Sequence, residues 1–144
     1  MSTAYFVDSV RGDDSGPGSA ACPWRTLERV NRHAFGPGDR LFLRAGCRFE
    51  GQLTPRGSGA EGAPVKLDAY GAGPLPVIDI GAAYGAGIRL DNQEYWEIRH
   101  IEITSGAPAG GGARQGIRVH ISGAGRVYHH IVISGCYIHD LWGL

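Results

Sequence analysis

The residues best suited to chemistry sit in two short segments of the same form, Gly87-Ile88-Arg89-Leu90-Asp91 and Gly116-Ile117-Arg118-Val119-His120. Apolar and polar positions alternate in both, and in an extended strand successive side chains point to opposite faces. If Ile88, Leu90, Ile117 and Val119 face a core, then Arg89, Asp91, Arg118 and His120 share the outer face. Stacking the two strands puts Arg89 and Asp91 directly beneath Arg118 and His120. Paired arginines suit a planar carboxylate such as that of an acidic sugar. On such a substrate His120 is the candidate base for the proton at C5 of a uronate, and Arg118 the candidate group to stabilise the enolate-like charge. The alternative is a solvated ladder in which Asp91 simply contacts His120.

A second set comprises His129-His130 with His139-Asp140. Imidazole and carboxylate suit zinc or another transition ion. The spacing matches no metal motif, however, and adjacent strand residues point opposite ways, so structural histidines are the competing reading and no metal ligand is assigned. Tyr137 and Trp142 fall at outward positions where sugar rings can stack, and with His139 and Asp140 they form the candidate substrate-binding group. Asp8 with Asp13-Asp14-Ser15 offers oxygens to calcium, the one candidate cofactor. The same residues also stabilise turns by bonding nearby amides. Glu97 and Glu102 fall on different strands and faces, which separates them too far for a glycosidase acid pair.

These groups need a scaffold, and the scaffold is visible as a repeat. Trp96 to Thr104 aligns without gaps on Ile131 to His139, each copy preceded by Gly-Ile-Arg and an aliphatic residue. Repetition at this period marks stacked units that cannot bury their apolar faces alone. Each unit reads as three strands: Ile88 to Leu90, Trp96 to Ile98 and Ile101 to Ile103, then Ile117 to Val119, Ile131 to Ile133 and Cys136 to Ile138. Cys136 takes the place of Ile101 and reads as a small core residue. Upstream, Asp39 to Arg44, Phe49 to Leu53, Val65 to Leu67 and Val77 to Ile80 continue the pattern, giving about four turns of a three-stranded parallel coil.

One helix is predicted, from Thr26 to about Ala34, with Leu27, Val30 and Ala34 on one face and Gly36-Pro37-Gly38 ending it. It would cover the first coil, as terminal units of a solenoid require. Trp24 is expected to pack under it, and Trp96 to lie in the core. The expected organisation is a single domain, with residues 1–38 as the N-terminal strand, turn and capping helix and 39–144 as the coils.

Glycine supplies 24 of 144 residues, more than twice the usual share of about 7%. The runs Gly57 to Gly62 and Gly106 to Gly112 read as loops. Fourteen basic residues balance fourteen acidic ones, which argues against nucleic acid or a strongly anionic surface as partner. No apolar run has the length of a membrane span, and Met1-Ser2-Thr3 leads into the first strand without a signal-peptide core. Three cysteines show no metal-type spacing.

The opening Tyr5-Phe6-Val7-Asp8-Ser9, the turn Gly12 to Gly16, Pro23-Trp24-Arg25-Thr26-Leu27 and Pro37-Gly38-Asp39 resemble the N-terminal part of the right-handed parallel β-helix proteins of the pectate-lyase-like superfamily. Gly51-Gln52-Leu53, Ala69-Tyr70-Gly71, Tyr95-Trp96-Glu97-Ile98 and Ile138-His139-Asp140 extend the resemblance over essentially the whole chain. It implies an all-β fold, a secreted protein and a polysaccharide partner, with lyase or glycoside hydrolase chemistry. In lyases of the superfamily, the face carrying Arg89, Asp91, Arg118 and His120 lines the substrate groove. A noncatalytic carbohydrate-binding or structural module, or a fragment without a complete site, is the alternative. Members usually run several coils further, so the last coil is expected to lack a cap and to offer a surface for end-to-end self-association.

Overall fold

A computed structural model describes residues 2–81, 85–106 and 114–141. The order of elements is β1 (Ala4–Val7), α1 (Leu27–Asn31), β2 (Ala34–Phe35), β3 (Arg40–Arg44), β4 (Arg48–Glu50), β5 (Arg56–Gly57), β6 (Val65–Tyr70), β7 (Val77–Asp79), β8 (Ala86–Asp91), β9 (Trp96–Arg99), β10 (Glu102–Thr104), β11 (Gln115–His120), β12 (Ile131–Ser134) and β13 (Tyr137–Ile138). Every pairing between these strands is parallel. The first sheet runs β1-β3-β6-β9-β12, the second β4-β7-β10-β13, the third β8-β11, and β2 with β5 forms a short fourth. The architecture is β-helix-like. From β3 onward the chain passes from the first sheet to the second and then to the fourth or third before returning one strand further along the first.

Period-2 alternation sets the interior. Leu41, Leu43, Leu67, Ile98, Ile78, Ile103, Ile88 and Leu90 are all essentially inaccessible and belong to one continuous core. In-register stacking places like residues over like, as with Leu41, Leu67 and Ile98 in the first sheet. Trp96 is fully buried and donates from Nε1 to the Gly57 carbonyl at 3.0 Å, which satisfies the one polar atom that burial would strand. At the β11, β12 and β13 edge the same inward positions are open. Val119, Ile133 and Ile138 are 40%, 44% and 42% exposed, whereas Leu90, Ile98 and Ile103 beneath them are at 0%.

The turns are built from left-handed residues at corresponding places. Tyr95 and His130 (φ 57° and 60°) each precede a strand of the first sheet, and His100 and Gly135 (φ 57° and 63°) each follow one. A non-glycine side chain held there costs on the order of 1 kcal/mol or more, so tight turns between sheets are maintained against local preference.

The helix is shorter than its sequence pattern predicts. It covers Leu27–Asn31, begins with Thr26 accepting from the Arg29 amide at 3.2 Å, and buries Leu27 and Val30. Ala34 is exposed and belongs to strand β2, whose Phe35 turns inward instead. Pairing of β2 with β5 outweighs the weak helical preference of a five-residue segment. That pairing also corrects the loop expected at Gly57. A Cβ there would sit 1.9 Å from the Phe35 carbonyl oxygen, so Gly57 is a strand residue at a close backbone approach. The strand predicted over Phe49 to Leu53 divides at Gly51 (φ 117°), leaving Leu53 as an isolated bridge to Ile88. Residues 107–112 of the second predicted glycine loop lie outside the described residues.

Trp24 is buried, stacks on Tyr5 with ring centres 5.1 Å apart, and carries the Arg29 guanidinium over its face at 4.3 Å. The outer edge of β1 is occupied, since the Phe6 and Asp8 amides donate to the Gly18 and Trp24 carbonyls and the Trp24 amide donates to Phe6. His33 completes this cluster between Tyr5, Trp24 and Phe35, and its buried Nε2 has no hydrogen-bond partner among the described residues.

Two predictions follow from this packing. Adding a Cβ at Gly87 would bring it 2.6 Å from the Ile103 side chain, so Gly87→Ala should cost about 1–3 kcal/mol by overpacking, read as a lower thermal midpoint. Burial, reinforced by Arg29 and only partly opposed by Asp39, lowers the pKa of His33 below its usual 6.5. The unfolded chain then binds the proton more readily, so the His33 contribution to stability is complete above about pH 6.5 and shrinks as pH falls below it. Thermal melts from pH 7.5 to 5 should show a shallower acid loss in His33→Phe than in the parent.

Candidate functional site

The outer face of the second sheet is built from two in-register rows. One holds Arg48, Val77, Glu102 and Tyr137, and a second holds Glu50, Asp79 and Thr104. His139 follows Ile138 at the continuation of that second row, with its amide donating to the Ile103 carbonyl at 3.1 Å. Phe49, Ile78 and Ile103 alternate with these residues and point into the core, so the polar side chains have no other direction to take.

Charges on this face meet diagonally between neighbouring strands. Arg48 pairs with Asp79, whose carboxylate also accepts from the Gly106 and Gly81 amides at 2.9 and 3.0 Å. Burial alone would raise the Asp79 pKa, but those amides and Arg48 outweigh it and hold the group below the usual carboxylate range. At the other end His139 lies between two carboxylates, with Nε2 2.9 Å from Glu102 Oε2 and Nδ1 2.8 Å from Asp140 Oδ2. Tyr137 stacks on the imidazole at 4.2 Å and is itself 56% exposed. Glu102, and then Asp140, raise the His139 pKa above its usual value by stabilising the imidazolium. Beside Arg48 and Glu50 a depression of about 360 Å³ is lined by Arg25, Thr26 and Glu28 as well.

This face therefore unites Tyr137, His139 and Asp140 from the sequence-derived set. Trp142 lies outside the described residues. Glu102 is the member that sequence spacing does not find. It lies 37 residues from His139, and only the diagonal offset of adjacent strands brings the two together. Glu97 and Glu102 are on different sheets, as their strand positions require.

The third sheet carries the other set. Arg118 stands over Arg89 and His120 over Asp91, as the alternation predicts. Asp91, however, binds Arg89 Nε at 2.9 Å rather than His120. Among the described residues the Arg118 and His120 side chains have no hydrogen-bond or ion-pair partner, and both are exposed. A shallow depression of about 330 Å³ lies against Arg89 and Asp91, bounded by Thr54, Arg56 and Gln93.

His129-His130 and His139-Asp140 do not converge. His130 Nε2 lies 2.7 Å from Glu97 Oε2 at the edge of the first sheet, while His139 serves the second. Among the described residues no group of three or more His, Cys, Asp or Glu is placed to hold a metal ion. The acidic N-terminal turn is occupied internally. Asp8 Oδ1 accepts from the Val10 and Arg11 amides, Asp13 from Ser15, and Asp14 from the Arg25 and Thr26 amides and the Thr26 hydroxyl. No described helix is long and apolar enough to cross a membrane.

No family model and no curated protein matches the sequence. Among solved structures the fold is similar to the GH136 lacto-N-biosidase from Eubacterium ramulus. The selenomethionine form gives a TM-score of 0.86 at 25% identity, and the native form 0.75 at 24%. Each alignment covers 96% of this chain and 27% of the other, so the chain spans about a quarter of the length of the structures it matches.

The raised pKa of His139 has a direct test. Its favourable pairing is fully present below the usual pKa of 6.5 and is lost as pH rises through the higher folded value. In an NMR titration the His139 ring should titrate above the ordinary histidine value of about 6.5, and Glu102→Gln should move it down.

Proposed function

We propose that this chain is the β-helix portion of a carbohydrate-active protein of the glycoside hydrolase type, acting on glycans at the outer face of its second sheet. The observation that carries the reading is the match of nearly the whole chain to GH136 lacto-N-biosidase with a TM-score of 0.86. Glycosidic hydrolysis needs one acid on the leaving oxygen and one carboxylate for water or the anomeric carbon. In this reading Glu102, 25% exposed, is the acid, and Asp140, 69% exposed, is the carboxylate on the solvent side. His139 holds a proton between them, transfers it to Glu102 as that carboxyl protonates the leaving oxygen, and recovers one from Asp140, which takes it from the attacking water. Tyr137 supplies a stacking surface for a pyranose ring.

A noncatalytic glycan-binding module is the second reading, favoured by the engagement of both carboxylates by one imidazole. A lyase acting on an acidic polysaccharide would instead use Arg118 and His120 over Arg89 and Asp91. We place that third, because Asp91 is committed to Arg89 and His120 lacks an orienting partner among the described residues.

The finer architecture belongs to the same reading. It comprises right-handed coils, about four in number, in one domain with α1 as the N-terminal cap. The burial of Leu27 and Val30 and the strong right-handed preference of parallel crossovers support it. An extracellular location accords with glycan substrates. The open apolar positions Val119, Ile133 and Ile138 are the surface through which copies would associate end to end.

Release of reducing sugar from neutral and acidic oligosaccharides, lacto-N-biosides included, tests the activity. Glu102→Gln or Asp140→Asn should lower kcat/KM about 100-fold or more, with Tyr137→Ala raising KM. Saturable glycan binding without turnover would select the binding module, and an unsaturated product would select the lyase. Light scattering at rising concentration should show association that Ile133→Lys abolishes.

A further inference from the structure

A different place on the molecule has the form of a second saccharide site. Where the chain enters the first sheet, a depression of about 460 Å³ is lined by Pro64, Lys66, Tyr95, Glu97, His129 and His130. It lies on another sheet from Tyr137 and His139.

One wall is a ladder of rings. Val65, Trp96 and Ile131 are in register, so the residues before them, Pro64, Tyr95 and His130, succeed one another along the stack. Tyr95 and His130 are held in left-handed backbone and stack with centres 5.8 Å apart at 21°. His129 lies 6.3 Å from Tyr95, and its amide is fixed by Glu94 Oε2 at 2.9 Å. The floor is polar. Lys66 is in register beneath Glu97, and the Glu97 carboxylate is oriented by Arg99 at 2.7 Å and by His130 at 2.7 Å. The His130 bond, assisted by Arg99 and Lys66 against partial burial, holds the Glu97 carboxyl below its usual value.

An apolar ring wall facing a few fixed polar groups is the usual form of a small-ligand site. A pyranose has the complementary form, with a face of C–H bonds and a rim of hydroxyls. Hydroxyls can accept from the Lys66 ammonium and donate to Glu97, and Glu61 in the lining joins Glu97 in opposing an anionic sugar. We propose that this depression binds a neutral pyranose unit of a glycan, against the Pro64-Tyr95-His130 wall and over Lys66 and Glu97. It is a site separate from the face bearing Tyr137 and His139, and it stands whether or not that face hydrolyses anything.

The test is an amide-resolved NMR titration of the full chain with lactose, cellobiose and lacto-N-biose, and with glucuronate as the charged comparison. Neutral sugars should shift the amides of Lys66, Tyr95, Glu97 and His129. Lys66→Ala and His129→Ala should each weaken that binding at least fivefold at unchanged thermal midpoint, and Tyr137→Ala should leave it intact. Shifts confined to Tyr137 and His139, no shifts with any neutral sugar, stronger binding of glucuronate, or unaltered affinity in both variants would each overturn the proposal.

Discussion

Parallel in-register pairing between successive coils is the constraint on which the rest of this structure depends. No coil has a core of its own. Leu67 is buried because Leu41 lies on one side of it and Ile98 on the other, and the same holds for Ile78 between Phe49 and Ile103. A slip of one residue would turn every inward side chain outward, so the register is strongly specified wherever the interior is closed. Among the described residues no strand covers Val119, Ile133 and Ile138, and there the same apolar positions are exposed.

That constraint also makes the surface orderly. Because each coil repeats the path of the last, outward residues form rows, and charges in neighbouring rows fall within reach across the diagonal. Arg48 with Asp79 and Glu102 with His139 are two instances on one face. On the first sheet Glu97 gathers Arg99 from its own strand and His130 from the next turn. Exposed pairs of this kind contribute little stability singly. Their effect is positional, since each fixes an imidazole or carboxylate at a known height on the stack.

Glycine and left-handed residues give the chain its corners. Gly57 lets β5 approach the Phe35 carbonyl, and Gly87 leaves room for Ile103. At Tyr95, His100 and His130 the chain accepts a conformation that side chains disfavour. At His130 the cost brings the imidazole onto the Tyr95 ring and the Glu97 carboxylate, and at His100 it brings Nδ1 to within 2.8 Å of Asp68.

Much of this was legible in the residues. The period-2 alternation and the near-identical segments around Ile88 and Ile117 determined the strand stack, the pairing of Arg118 over Arg89 and His120 over Asp91, and the burial of Trp96, because those follow from local geometry repeated at a fixed period. The helical pattern runs on to Ala34, since nothing near it in sequence announces that Phe35 pairs with Gly57. Which charges meet was decided only by tertiary structure. Glu102 and His139 are 37 residues apart, and Glu97 and His130 are 33 apart. Their contacts arise from the offset between adjacent coils and the path of the turns, quantities set by packing of the whole stack and written in no single segment.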